Sequence, residues 1–146
     1  MISEQDLLQV LKLLSDNLYK IVEIDLNNDC FYEIRIAAQE KTERKDMYTW
    51  IQKFAKKSVH PADMQHFLAF FNIEDTKECL RANWMRRLYY RRKVGTTYRW
   101  VCVEVVKTKD YDEENNALVL LSVRDVEDYI RDFQKQEAIL LNESDI

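Results

Sequence analysis

Glycine and proline are almost missing from this chain of 146 residues, which has one of each, Gly95 and Pro61. A phosphate-cradling loop, a dinucleotide fingerprint and a Gly-x-Ser-x-Gly elbow all need several glycines for close backbone approach, so those enzyme classes are excluded. Cysteine is scarce: Cys30, Cys79 and Cys102 are odd in number, far apart and in no CxxC spacing. Neither a disulfide framework nor a zinc site follows from such a set. The two histidines, His60 and His66, are six apart and cannot share a helix face as metal ligands. No apolar run approaches the roughly 18 residues of a membrane span, and the opening "MISEQDLLQVLKLL" carries acids where a signal peptide needs positive charge. Basic excess is also absent, with 22 Lys and Arg against 26 Asp and Glu and a formal charge of -4, which argues against a protein built mainly to bind nucleic acid. The acids are abundant, yet none forms a spacing that marks a general acid and base. The expectation is a cytoplasmic protein that is not an enzyme, with no membrane insertion and no nucleic acid partner.

What is present is 47% hydrophobic and 33% charged sequence, enough for one domain with a real core. Leu7, Leu11, Leu14 and Leu18 recur at helical spacing behind Ser3, predicting an amphipathic N-terminal helix over residues 3–17. Two short runs split by Asn27, Asn28 and Asp29 predict a hairpin, and the polar "QEKTERKD" of residues 39–46 reads as a loop. Met47, Trp50, Ile51, Phe54 and Ser58 share one face of a helix capped by Asp46. Pro61 suits the first residue of a helix and His60 its cap, with Met64, Phe67, Leu68 and Phe71 as the buried stripe. A short helix over 73–82 follows, with Glu74 and Asp75 at its start and Arg81 at its end.

The stretch "YYRRKVGTTYRWVCVEVV", residues 89–106, then poses a choice between a basic surface and a β-hairpin turning at Gly95. Alternation on a strand puts Arg87 and Arg91 with Tyr89 on one side and Arg86 and Arg92 with Leu88 and Tyr90 on the other. The charge is thereby divided, and the hairpin is the reading adopted. Leu88, Tyr90, Val101, Val103 and Val105 suit a core face. Trp100, Cys102 and Val106 on the opposite parity are hardly polar, and "ALVLLSV" predicts a last strand apolar on both sides. A sheet apolar on both faces wants two covers: the central helices supply one and the N-terminal helix, a partner subunit or both the other, and a homodimer through the outer sheet face and the flanking helices is expected. Val126, Ile130, Phe133, Glu137 and Leu140 alternate at four and three, the seam of a C-terminal helix over 126–146.

With these elements in order, the chain resembles a PAS domain of the bacterial sensory type over residues 18–130. The likeness rests on "VHPADMQHF" with His60, Pro61 and Asp63, on Tyr90, Arg91, Gly95, Tyr98, Arg99 and Trp100, and on Asp125 and Val126. It implies an α+β fold: a five-stranded antiparallel sheet with short helices on one face, plus N-terminal and C-terminal flanking helices, as one sensory domain over 1–146 with its core at 18–125. It further implies a sensory or dimerisation module that binds a small ligand or partner and relays through its C-terminal helix. Relatives of this kind are fused to an output domain such as a diguanylate cyclase or histidine kinase. A ligand-free interaction domain that sets dimer geometry is the alternative.

A ligand pocket between sheet and helices would be lined by Trp50, Phe54, Phe67, Leu88 and Tyr90, although the same residues fill a core with no ligand at all, which is the simpler reading. No cofactor is expected. His66 lies about 200° round its helix from Met64, away from the apolar stripe, so it gives no inward haem ligand. "ECLRANW" around Cys79 lacks the Asn-Cys-Arg-Phe-Leu signature of covalent flavin photosensors. Haem and non-covalent flavin stay open, and the sequence names neither ligand, output domain nor upstream signal.

Overall fold

The computed structural model describes residue 3, residues 18–35 and residues 40–144. The helix expected over 3–17 lies outside the described residues apart from Ser3. Strands β1 (Leu18–Asp25) and β2 (Cys30–Arg35) form the first hairpin, followed by β3 (Glu40–Lys45) and the helices α1 (Met47–Ser58), α2 (Met64–Phe70) and α3 (Ile73–Ala82). The second hairpin, β4 (Met85–Val94) and β5 (Thr97–Lys107), precedes β6 (Leu118–Asp125) and the terminal helix α4 (Glu127–Ser144). All pairings are antiparallel, and the single sheet has the order β3-β2-β1-β6-β5-β4. This is an α+β architecture.

Among the described residues the sheet has six strands, not the five expected, because "EKTERK" pairs with β2 from Cys30↔Lys45 to Arg35↔Glu40 instead of forming a loop. Every residue of β3 is exposed, so the apolar alternation that reveals a half-buried strand has nothing to act on. Cross-strand charge replaces it: Arg44 meets Glu33 at 3.1 Å, Lys41 meets Glu23 at 3.4 Å, and Lys41 lies 4.9 Å from the Tyr32 ring. A charged edge of this kind also discourages pairing with another chain.

Two aspartates in left-handed backbone start α1. Asp29, at φ 38° in the first hairpin turn, accepts the Met47 N–H at 3.1 Å, and Asp46, at φ 61°, accepts the Thr49 N–H at 3.2 Å. Aspartate tolerates that region better than most residues, and each carboxylate satisfies an amide that the first helical turn leaves unpaired. Gly95 takes φ 63° at the tip of the second hairpin, where a Cβ would meet nothing within 4 Å, so the demand for glycine is conformational.

The inner sheet face carries Val22, Ile24, Phe31, Tyr90, Val101, Val103, Val105, Val119, Leu121 and Val123, all buried. Against it pack Met47, Ile51 and Ala55 of α1, Phe67 and Phe70 of α2 and Leu80 of α3. Phe70 joins the buried set beside the expected Phe67, while Met64, Leu68 and Phe71 are half-buried. The outer face is mixed rather than apolar: Cys102 is buried, Trp100, Val106 and Leu118 are half-buried and Leu120 is 39% exposed, but Arg87, Glu104, Ser122 and Arg124 share that side.

Candidate functional site

The segment before α2 is built onto the free edge of β4. His60 donates its N–H to the Arg91 carbonyl at 3.0 Å, and Val59 bridges to Arg92. Pro61 opens a 3-10 turn, Pro61–Asp63, whose Ala62 N–H is accepted by His60 Nδ1 at 3.0 Å, the capping role read from sequence. Asp63 then takes the Arg91 backbone N–H at 2.8 Å and its guanidinium at 2.9 and 3.0 Å. Arg91's hydrogen bonds hold the Asp63 carboxyl below the ordinary aspartate range, against a smaller opposing effect of burial. The edge of β4 is in this way closed by the His-Pro-x-Asp motif itself.

Four of the five residues proposed to line a pocket, Trp50, Phe54, Phe67 and Tyr90, surround one space between helices and sheet, together with Phe71, Leu121 and Val123. Leu88 packs against the core without lining that space. The rings run in sequence: Phe31 to Trp50 at 5.1 Å, Trp50 to Phe54 at 6.2 Å, Phe54 to Phe67 at 5.7 Å and Phe67 to Tyr90 at 4.9 Å. They leave about 20 Å³, room for roughly one water molecule. Burial, opposed by the nearby Arg92 charge, drives the Tyr90 phenol far above its ordinary range, so it stays neutral.

Two residues that sequence reasoning did not place here stand at the mouth of this space, Lys20 and Arg92. Lys20 shares the inward parity of Val22 and Ile24. Its ammonium lies 4.6 Å from the Trp50 ring and 3.5 Å from Glu33. Burial pulls it below the ordinary lysine range, an effect Glu33 opposes. Arg92 lies 4.3 Å from the Tyr19 ring and 5.2 Å from the Phe54 ring. A cation at an apolar parity position was the available signal for both.

At the same end of the inner face, Asp125 gathers three donors. Arg99 reaches it at 2.5 and 3.3 Å, the Tyr19 hydroxyl donates at 2.9 Å, and the Glu127 N–H donates at 2.9 Å. Burial works to raise the Asp125 carboxyl, but Arg99 and the other donors outweigh it and the group lies below the ordinary aspartate range. Glu127, 6% exposed, accepts the Trp100 N–H at 2.6 Å and pairs with Arg131 at 2.8 Å, while the Val126 N–H bonds the Trp100 carbonyl at 2.9 Å. The first turn of α4 is thus fastened to β5 and β6 through the Asp125-Val126 pair singled out in the sequence. Beyond it, Ile130 is half-buried and Phe133 57% exposed.

The arginine run is taken up locally. Arg86 bonds Thr76 and lies over Phe70, Arg87 pairs with Glu104, and Arg91 and Arg99 hold Asp63 and Asp125. His66 is exposed on α2, and Cys79 does not line the aromatic space. Among the described residues no group of His, Cys, Asp and Glu is placed to hold a metal, and no helix is long and apolar enough to cross a membrane.

No family model and no curated protein matches the sequence. Among solved structures, an RNA-binding light-oxygen-voltage receptor is similar with a TM-score of 0.49 and 11% identity, over 87% of this chain and 35% of that one.

Proposed function

We propose that this chain is a PAS-like signalling module that transmits a state of its sheet to the helix leaving it, and that it serves an output domain such as a diguanylate cyclase or histidine kinase. The observation carrying this reading is the fastening of α4: one carboxylate, Asp125, holds Arg99 of β5, Tyr19 of β1 and the first amide of the helix. A change at either strand alters the helix's seat without unfolding the sheet, which is the two-state element that relay requires. Self-association through the outer face and α4 would carry that change to a partner copy. Catalysis has no part in this reading.

Hydrogen exchange on the ligand-free chain tests it. Asp125→Ala should speed exchange in the first turns of α4 and at the Trp100 amide, while β1 and β6 stay protected. Unchanged protection of α4, or loss of protection across the whole sheet, would remove the basis for a relay. A ligand-free interaction domain is the second reading, favoured by the roughly 20 Å³ left inside the aromatic tier. Native mass spectrometry separates the two, since a stoichiometric small molecule carried through purification excludes the second.

A further inference from the structure

We propose that Lys20 and Arg92 form an anion clamp at the mouth of the aromatic tier, selecting a small ligand that joins a carboxylate to a flat apolar body, and that Tyr19 carries occupancy of the clamp to Asp125. The inference rests on the relay reading above and supplies its input.

The charges at the mouth are unbalanced. Glu33 serves both Lys20, at 3.5 Å, and Arg44, at 3.1 Å, so one acid is shared by two cations. Arg92 has no carboxylate within ion-pair distance among the described residues and is held by the Tyr19 and Phe54 rings instead. Arg99, the other cation at this end, is already committed to Asp125. Lys20 and Arg92 also repel each other, and Arg92 adds to the burial that weakens Lys20 as a base. A carboxylate between them relieves that repulsion, with the guanidinium fork suited to two parallel hydrogen bonds and the ammonium acting as a point charge.

The walls decide the rest of the ligand. Behind the cations stand Trp50, Phe54, Phe67, Phe71, Leu121 and Val123, a lining that rewards apolar contact. The enclosed part, about 20 Å³, admits only a ligand's tip. A flat body therefore lies in the mouth against the Trp50 and Phe54 rings rather than deep in the core.

Arg92 is also the point at which the mouth touches the relay. Its guanidinium rests 4.3 Å from the Tyr19 ring, and the Tyr19 hydroxyl donates to Asp125 at 2.9 Å. Drawing Arg92 toward an anion removes the cation from that ring and frees Tyr19 to shift, which loosens one of the three donors that define Asp125 and so the seat of α4.

Titration of the isotope-labelled chain with phenylacetate, followed by amide and indole NMR, tests both parts, with phenylacetamide as the uncharged counterpart. Phenylacetate should shift the Trp50 indole and the Glu127 amide, and phenylacetamide should shift neither. Arg92→Gln should weaken binding about tenfold or more, the loss expected for a hydrogen-bonded charge, and Lys20→Gln several-fold. Arg92→Lys keeps the charge without the fork and should fall between. Equal shifts from both compounds, or no shift near Trp50, overturn the clamp; a Trp50 shift without a Glu127 shift overturns the link through Tyr19. The exchange experiment on Asp125→Ala uses no ligand, so the clamp can fail while the relay stands.

Discussion

Replacing Asp63 by asparagine tests how much the His-Pro-x-Asp closure contributes to holding the edge of the sheet. Asparagine keeps one acceptor oxygen but turns an amide donor toward the Arg91 guanidinium, so of the three hydrogen bonds between 2.8 and 3.0 Å at most one or two survive. Hydrogen bonds to charged groups contribute about 1.5–3 kcal/mol when protected, and exposed ion pairs about 0–1. The Asp63 and Arg91 side chains are 16% and 32% exposed, between those limits. A loss of about 1–2 kcal/mol follows, or about 3–6 °C in Tm for a chain of this size. The pH dependence gives a second handle. Arg91 holds the folded Asp63 carboxyl below its unfolded value, so its contribution is present above about pH 4 and is lost as pH falls through the lower, folded value. Urea denaturation of the two proteins should therefore show a gap at pH 7 that closes toward the acid limit. A gap that persisted in acid would mean that asparagine disturbs packing and that the charge contributes nothing. No gap at pH 7 would mean that the edge is held by the His60–Arg91 backbone bond alone.

Three further outcomes are expected. Burial pushes the Cys102 thiol up to about 11, so at pH 8 about one molecule in a thousand carries a thiolate there; Cys30 and Cys79, both half-exposed, should be alkylated first by mass spectrometric mapping of the native protein. Among the described residues the buried Tyr111 hydroxyl has no hydrogen-bond partner, so Tyr111→Phe should be neutral or stabilising by up to about 1 kcal/mol in chemical denaturation, and a loss larger than that would reveal a partner. Charged residues at Ile130 and Phe133 should lower the self-associated mass by light scattering if α4 pairs with a second copy, whereas an unchanged mass would place any dimer elsewhere.

Local chemistry made much of this fold legible in the sequence. Asp46 as a cap, the helix over 73–82 and the turn at Gly95 each follow from one or two residues whose preference is strong. The strand Glu40–Lys45 was not legible because its stability comes from pairing with β2 and from charges on β2 and β1, and an edge strand wet on both sides shows no apolar period. Trp50, Phe54 and Phe67 follow from helical spacing, whereas strand parity, which fixes a face and not a position along it, does not separate Tyr90, beside the aromatic space, from Leu88, outside it. Lys20 and Arg92 were overlooked for a related reason. Each is a charged residue in an inward-facing register, and a charge in a sequence is ordinarily assigned to water; only the placement of Trp50, Phe54 and Tyr19 shows the rings that receive them. The Arg99–Asp125 pair joins residues 26 apart through the register of β5 with β6, which a sequence does not display.

Why the polar groups cluster at one end of the inner face has a physical answer in the strand register. Val101 of β5 pairs with Asp125 of β6, so Arg99 extends past the last residue of β6, and Arg92 of β4 lies opposite it. On the far side, the irregularity between Leu18 and Lys20 in β1 lets Tyr19 reach Asp125 and Arg92 while Lys20 still faces inward. Among the described residues, long side chains line this end beside Trp50 and Phe54 of α1, their stems on apolar surface while their heads reach one another. Removing a ring from the packed tier costs stability, whereas moving a guanidinium from one partner to another at the mouth exchanges contacts of similar strength. Such an exchange leaves the sheet folded, and α4 starts two residues past Asp125.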